Sequence, residues 1–301
     1  MKTLLTGANG LVGSTISADY KLNGKQKLDL TDWAATYRYF LEIRPSAVIH
    51  TAGKVGGLGA NMNYMAEFYY DNIMINTNVL EAARRTGVKK VVSFLSTCIF
   101  PALAQYPLTE DQLHNGQPHD SNFGYGHAKR MLEVHSRAIA TQYGLNYTCI
   151  IPTNIYGPND NFNLENSHVL PALIHKCYLA KRDNTDLVVW GSGEPLREFI
   201  FSKDVGEITQ LILEHYEGIE PMILSTSEEI SIRKAVETIA DVMGFEGNLI
   251  FDSTKPDGQY KKPTSNLRLR NFLPNYKFTP FREGIKQTVD WFIENYETCR
   301  R

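Results

Sequence analysis

The chain of 301 residues is poor in cysteine, in unbroken apolar sequence and in charge of one sign. Its four cysteines, Cys98, Cys149, Cys177 and Cys299, form no Cys-x-x-Cys pair and no metal-like Cys/His spacing. That argues against a disulfide framework and a zinc site and makes a reduced cytoplasmic compartment the simplest home. No stretch approaches the ~18 consecutive apolar residues of a membrane-spanning helix. The opening MKTLLTG starts like a leader, but its apolar run breaks at Gly7, Asn9 and Gly10, so it reads as a strand. Lys and Arg number 31 against 33 Asp and Glu, a net charge of -2 with no polybasic block, which removes nucleic acid and a membrane surface from the expected partners. Neither a fixed-period repeat nor a low-complexity segment is present, so solenoids and linkers drop out. What is there, 43% hydrophobic and 21% charged residues, is globular composition, and the length suits two domains or one large α/β unit.

Short β-branched runs at 2–6, 47–51, 88–95 and 147–151 alternate with helix-period stretches. One such stretch is 66–86, where Phe68, Ile73, Ile75, Val79, Leu80 and Ala83 recur at helical spacing. That alternation predicts a doubly wound α/β fold with a parallel sheet, a Rossmann body. After about Pro152 the texture turns to Asn, Pro and Gly-rich loops with shorter elements, PTNIYGPNDNFN, WGSGEP and KPDG. The expected division is a dinucleotide-binding part over 1–155 and a smaller α/β substrate-binding region over 156–301, some of whose elements return to the body. The last helix, expected at 281–296, carries Ile285, Val289, Trp291 and Phe292 and should dock on the body of the protein.

The first strand runs straight into GANGLVG, with Gly7, Gly10 and Gly13 spaced G-x-x-G-x-x-G before an expected helix. At such a turn the first glycine permits the bend, the middle one lets backbone approach a pyrophosphate, and the last allows close helix packing. An ordinary glycine turn explains the same string. Between Lys21 and Lys27 there is no carboxylate to hold a ribose diol. Lys25 and Lys27 would suit a 2′-phosphate, which favours NADP over NAD, though a solvated loop accounts for them too. Asp29 could accept from an adenine amine.

The strand at 88–95 ends at Ser96, Thr97 and Cys98, the carboxyl edge where open α/β sheets bind ligands. Tyr125 and Lys129 follow at i and i+4, so they share a helix face and the ammonium is expected to lower the phenol's pKa while reaching a cofactor ribose. Ser96 would hydrogen-bond the same carbonyl. With the glycine turn upstream, the set Ser96, Tyr125 and Lys129 points to hydride chemistry at a carbonyl.

These residues resemble the extended short-chain dehydrogenase/reductase family. The strings KVGGL at 54–58, STCIFP at 96–101, PTNIYGP at 152–158, SHVLPA at 167–172 and VWGSG at 189–193 resemble its GDP-L-fucose synthase branch over essentially the whole chain. The resemblance implies a bifunctional 3,5-epimerase and NADPH-dependent 4-reductase converting GDP-4-keto-6-deoxy-D-mannose to GDP-L-fucose, and a homodimer paired through helices. It implies Cys98 as base and His168 as acid for the inversions, with Tyr125 protonating the C4 alkoxide and Ser96 and Lys129 assisting. Among cofactor contacts it implies Gly7, Asn9, Gly10, Leu11, Val12, Gly13, Asp29, Lys129, Pro152, Asn154, Ile155 and His168. For the nucleotide sugar it implies Lys176, Trp190, Arg197 and Asp257, and it implies no metal. The segment KKPTSN at 261–266 departs from the pattern, so no contact is transferred to it. On residue chemistry alone Cys98 reads as buried core and His168 as a capping or solvent-facing side chain. The rivals are another sugar-nucleotide 4-reductase or 4-epimerase, or a non-catalytic NADP-binding regulator.

Overall fold

Apolar runs that alternate with amphipathic stretches have both faces of a strand to bury, and here they do so as a parallel sheet. The computed structural model describes residues 2–24 and 27–301, the side chain of Leu58 excepted. The strands are β1 (Thr3–Thr6), β2 (Tyr20–Leu22), β3 (Ala47–His50), β4 (Lys90–Phe94), β5 (Asn146–Pro152), β6 (Asn154–Tyr156), β7 (Leu187–Trp190), β8 (Leu196–Phe201), β9 (Met222–Leu224), β10 (Glu229–Ser231) and β11 (Leu249–Asp252). The helices are α1 (Trp33–Ile43), α2 (Leu58–Asn63), α3 (Met65–Arg85), α4 (Phe123–Tyr143), α5 (Val169–Asp183), α6 (Ser202–His215), α7 (Ile232–Met243), α8 (Leu267–Phe272) and α9 (Phe281–Glu294).

The main sheet has the order β2-β1-β3-β4-β5-β9, parallel throughout, with register pairs such as Leu4↔Val48, Val48↔Val91 and Val91↔Tyr147. One face is packed by α1, α3 and α4 through Phe40, Val79, Leu80, Leu132 and Ile139. The other is covered by α6 and α8 through Val205, Ile208, Ile212 and Leu269, against Leu5, Ile49, Val92 and Ile150. Helices on both faces are the doubly wound arrangement expected. Local chemistry sets several ends: Asp32 caps α1 by accepting from the Ala35 amide at 3.0 Å, and Gly144, at φ 64°, stops α4.

The second half builds a mixed sheet, β10-β8-β6, and a parallel pair, β11-β7. Their core is Tyr156, Phe162, Leu173, Ile174, Val236, Ile285 and Phe292 under α5, α7 and α9. Strand β9 returns to the main sheet beside β5.

The helix expected after the glycine turn is not there. Only a 3-10 turn, Gly13–Thr15, follows the loop, and Ile16 is already extended at φ -102°, ψ 134°. Residues 7–19 leave room for one turn once the loop is made, and α6 fills the place a crossover helix would take. Thr15 Oγ1 donates to the Ser202 carbonyl at 3.2 Å, and Gln210 Nε2 donates to the Ser17 carbonyl at 3.4 Å.

Candidate active site

The candidate catalytic edge is assembled where β4 stops. Ser96 is extended, at φ -156°, ψ 153°, and its Oγ accepts from the Cys98 amide at 3.3 Å, which opens the single 3-10 turn Thr97–Ile99. Helix α4 packs directly on that turn: a Cβ on Gly126 would lie 3.3 Å from the Cys98 carbonyl oxygen. Arg130, one turn further on, donates from Nε to the Ile99 carbonyl. Tyr125, 9% exposed, is thereby brought to Ser96 and Cys98. Burial pushes its phenol well above the ordinary tyrosine value, the neighbouring Cys98 adds to the rise, and a hydrogen bond with Ser96 opposes it.

Lys129, 3% exposed, donates to the Phe94 carbonyl at 2.8 Å, and burial lowers its pKa to about 8. The groups acting on the Tyr125 phenol are burial, Cys98 and Ser96. The Lys129 ammonium is held at the Phe94 carbonyl on the same face of α4. A shared helix face does not fix where a long side chain points, and the Phe94 carbonyl draws this one. The Lys129 ammonium instead faces the loop after β3, where a Cβ on Gly53 would sit 3.4 Å from Nζ. Beneath it His50 is held neutral, its pKa lowered to about 3 chiefly by burial and then by Lys129. Its Nδ1 is 2.8 Å from Thr6 Oγ1 and its Nε2 3.1 Å from Asn76 Oδ1.

His168 stands at the head of α5, with an exposed edge but enough protein around the ring for burial to lower its pKa. Its side chain makes no cap hydrogen bond. The Gly57 amide donates to the Asn166 carbonyl at 3.1 Å, and a Cβ on Gly57 would lie 3.2 Å from the Ser167 carbonyl oxygen. The segment after β3 thus runs from Lys129 on one side to the residue before His168 on the other.

At the dinucleotide end Gly7 has φ 74°, and a Cβ on Gly13 would come within 2.2 Å of the Gly7 carbonyl oxygen, so neither position admits a side chain. The Gly10 amide is used by the Gly7 carbonyl at 3.0 Å. Among the described residues the amides of Asn9, Leu11 and Val12 have no acceptor. Close-approach glycines beside free amides fit a dinucleotide diphosphate. No α-helix follows those amides. Asp29 Oδ1 accepts from the Thr31 amide at 3.0 Å and its hydroxyl at 2.7 Å. Lys27 is exposed, and Lys25 lies outside the described residues. Pro152 is buried at the end of β5, Ile155 is half-buried, and Asn154 donates to the Glu198 carbonyl at 2.8 Å.

The second half supplies a rim of cations around an open indole. Trp190 is 64% exposed, with Lys176 Nζ 4.7 Å and Lys255 Nζ 5.7 Å from its ring. Asp257 Oδ1 accepts from the Ser192 amide at 2.6 Å and Oδ2 from its hydroxyl at 2.8 Å, closing the WGSG turn. Burial lowers the pKa of Arg197, whose Nη1 donates to the Leu196 carbonyl at 2.7 Å. Sequence reasoning missed Lys262, whose Nζ donates to the Thr97 carbonyl at 2.7 Å, and Glu198, the buried carboxylate that holds its segment. Nothing in KKPTSN announces this; the placement depends on Leu108 and Glu198, both remote in sequence.

The profile of the NAD dependent epimerase/dehydratase family matches residues 3–224. The chain belongs to that family. A curated GDP-L-fucose synthase from Dictyostelium discoideum is 48% identical over 99% of this chain and 97% of its own length. The Escherichia coli GDP-L-fucose synthase is 36% identical over 99% of this chain and 98% of its own. Among solved structures, a GDP-L-fucose synthetase from Naegleria fowleri bound to NADP superposes with a TM-score of 0.94 at 44% identity, covering 99% of this chain and 94% of that one.

Proposed function

We propose that this family member is a GDP-L-fucose synthase: it uses NADPH and takes GDP-4-keto-6-deoxy-D-mannose through two epimerisations and one reduction to GDP-L-fucose. The observation that carries the reading is that Ser96 and Cys98 share one turn at the end of β4 and that α4, which bears Tyr125, packs directly on that turn. A hydride reductase needs the phenol and hydroxyl; a thiol there adds a base. Full-length relatives carrying that name support the substrate class.

Cys98 removes the protons made acidic by the C4 ketone, and His168, at the head of α5, returns a proton to the other face. Ser96 donates to the C4 oxygen, and Tyr125 protonates it as it becomes an alkoxide. Bound NADPH supplies the hydride. Lys129, fixed by the Phe94 carbonyl, offers its ammonium to a ribose hydroxyl, and the amides of Asn9, Leu11 and Val12 hold the diphosphate. Lys176 and Arg197 bind the sugar-nucleotide diphosphate, Trp190 lines the base and Asp257 orders the turn beneath it.

A second copy of the chain is the proposed partner. Helices α3 and α4 pack against each other and present Tyr70 and Met131 outward, beside a shallow cleft lined by Ile73, Thr77, Met131, Val134 and Ala138. The cytoplasm is the proposed compartment; no helix among the described residues is long and apolar enough to cross a membrane.

Incubation with GDP-4-keto-6-deoxy-D-mannose in deuterated water, with and without NADPH, tests the reading by NMR. Deuterium at C3 and C5 together with NADPH-dependent GDP-L-fucose is the expected result. Reduction without deuterium uptake would leave a 4-reductase, and cofactor binding without turnover would leave a regulator.

A further inference from the structure

The segment 261–266, which the sequence gives no role, carries a cation into the catalytic edge. Its backbone is clamped on two sides. The Leu108 amide donates to the Pro263 carbonyl at 2.9 Å and the Ser265 amide to the Leu108 carbonyl at 2.8 Å, with Leu108 fully buried. On the other side the Thr264 amide donates to Glu198 Oε1 at 3.0 Å and the Thr264 hydroxyl to Oε2 at 2.5 Å. Lys262 is thus fixed at its Cα while its Nζ donates to the Thr97 carbonyl at 2.7 Å, one residue from Cys98. Among the described residues no carboxylate pairs with Lys262 or with its neighbour Arg197.

A half-buried ammonium without an anion is costly unless an anion forms nearby during function. The charged and titratable groups around the Cys98 turn are few. Tyr125 faces it from α4, and Arg130, which keeps its charge, donates to the carbonyls of Ile99 and Gly116. Arg197 stands beyond Lys262 as a second cation. Burial and Arg197 both push the Lys262 pKa down, and the Cys98 thiol is the group that pulls it up.

We infer that Lys262 is the positioning residue for the epimerase base: its ammonium, locked at the Thr97 carbonyl, is the counter-charge that makes Cys98 available as a thiolate. The inference rests on the reading of Cys98 as that base. In the step it serves, the C–H bond at C3 or C5 breaks, an S–H bond forms, and the C–H electron pair becomes the enolate whose charge rests on the C4 oxygen. The thiolate charge passes to the substrate while Lys262 stays protonated throughout.

The test is the pH profile of Cys98 alkylation by iodoacetamide in the full chain saturated with NADP+, read by mass spectrometry of the Cys98 peptide. Cys149 and Cys177 are buried and do not compete. Lys262→Gln keeps a donor for the Thr97 carbonyl but removes the charge; Lys262→Met is the second neutral variant, should the first not fold. Either should raise the alkylation midpoint by about one pH unit or more. The rate at neutral pH should fall roughly three- to tenfold, since a more basic thiolate is also more nucleophilic. Lys262→Arg should return the midpoint toward wild type. A midpoint unchanged in the neutral variants overturns the inference even if Cys98 is the base. Separately, Cys98→Ser is assayed for deuterium uptake at C3 and C5; full uptake would overturn the base reading itself and with it the catalytic role given to Lys262.

Discussion

Glu198 offers a sharp test of how the catalytic edge is held. The carboxylate is 3% exposed and accepts three hydrogen bonds, from the Thr264 amide at 3.0 Å, the Thr264 hydroxyl at 2.5 Å and the Ser225 hydroxyl at 2.9 Å. Glu198→Ala removes both acceptor oxygens and their three hydrogen bonds, orphans a buried amide and leaves a cavity, a loss of about 3–5 kcal/mol. For a chain of this size that is roughly 5–8 °C in Tm. Glu198→Gln is a different perturbation. Its carbonyl can take the Thr264 amide while its NH2 donates to the two hydroxyls, which rotate to accept, so the loss should be within about 1 kcal/mol.

The pH dependence separates the two accounts further. Burial raises the Glu198 pKa above its ordinary 4.5, outweighing its hydrogen bonds. A carboxyl raised on folding contributes stability that is fully present below the unfolded value and is lost as pH rises through the folded one. Wild type should therefore lose stability relative to Glu198→Gln from about pH 4.5 upward. Denaturant titrations of the three proteins across pH 4–8 provide the measurement. A Gln variant as damaged as the Ala variant, or a wild-type advantage that grows with pH, would refute the argument.

Three further outcomes are expected. Tyr125→Phe removes the proton donor but not the thiol, so reduction should fall about 100- to 10,000-fold while deuterium uptake at C3 and C5 persists by NMR. Gly13→Ala drives a Cβ into the Gly7 carbonyl, 2.2 Å away, so NADPH binding followed by nucleotide fluorescence should weaken by at least about tenfold with a smaller loss of Tm. Trp190 is 64% exposed and one of three tryptophans, so GDP should quench intrinsic fluorescence, and Trp190→Ala should remove that signal and raise KM more than it lowers kcat.

The parts of this molecule that local pattern controls were readable before any coordinates. The buried runs that became β1, β3, β4 and β5 had nowhere to go but a sheet covered on both faces, and the period of 66–86 became α3 over Met65–Arg85. The glycine spacing named a turn whose Gly7 and Gly13 tolerate no side chain. What failed was tertiary. Leu11, Val12 and Ile16 look like the start of a crossover helix, yet they pack as a short turn under α6 because residues 202–215 occupy the face. Tyr125 and Lys129 share a helix face as their spacing says, but spacing carries no word of the Phe94 carbonyl that claims the ammonium. Lys262 is the extreme case, since its position is set by Leu108 and Glu198, partners far away in the chain.

The second face of the main sheet also has a consequence for the order of synthesis. Leu5, Ile49, Val92 and Ile150 are made early, but the side chains that cover them, Val205, Ile208 and Ile212, come later, and Leu269 later still. At the usual elongation rate of about 5–20 residues per second, the stretch from the end of β5 to the end of α6 takes on the order of 3–12 s. During that interval the nascent amino-terminal half carries an apolar sheet face and an unpaired β5 edge, awaiting β9. A fragment ending at residue 155, with that face and edge uncovered, should therefore aggregate.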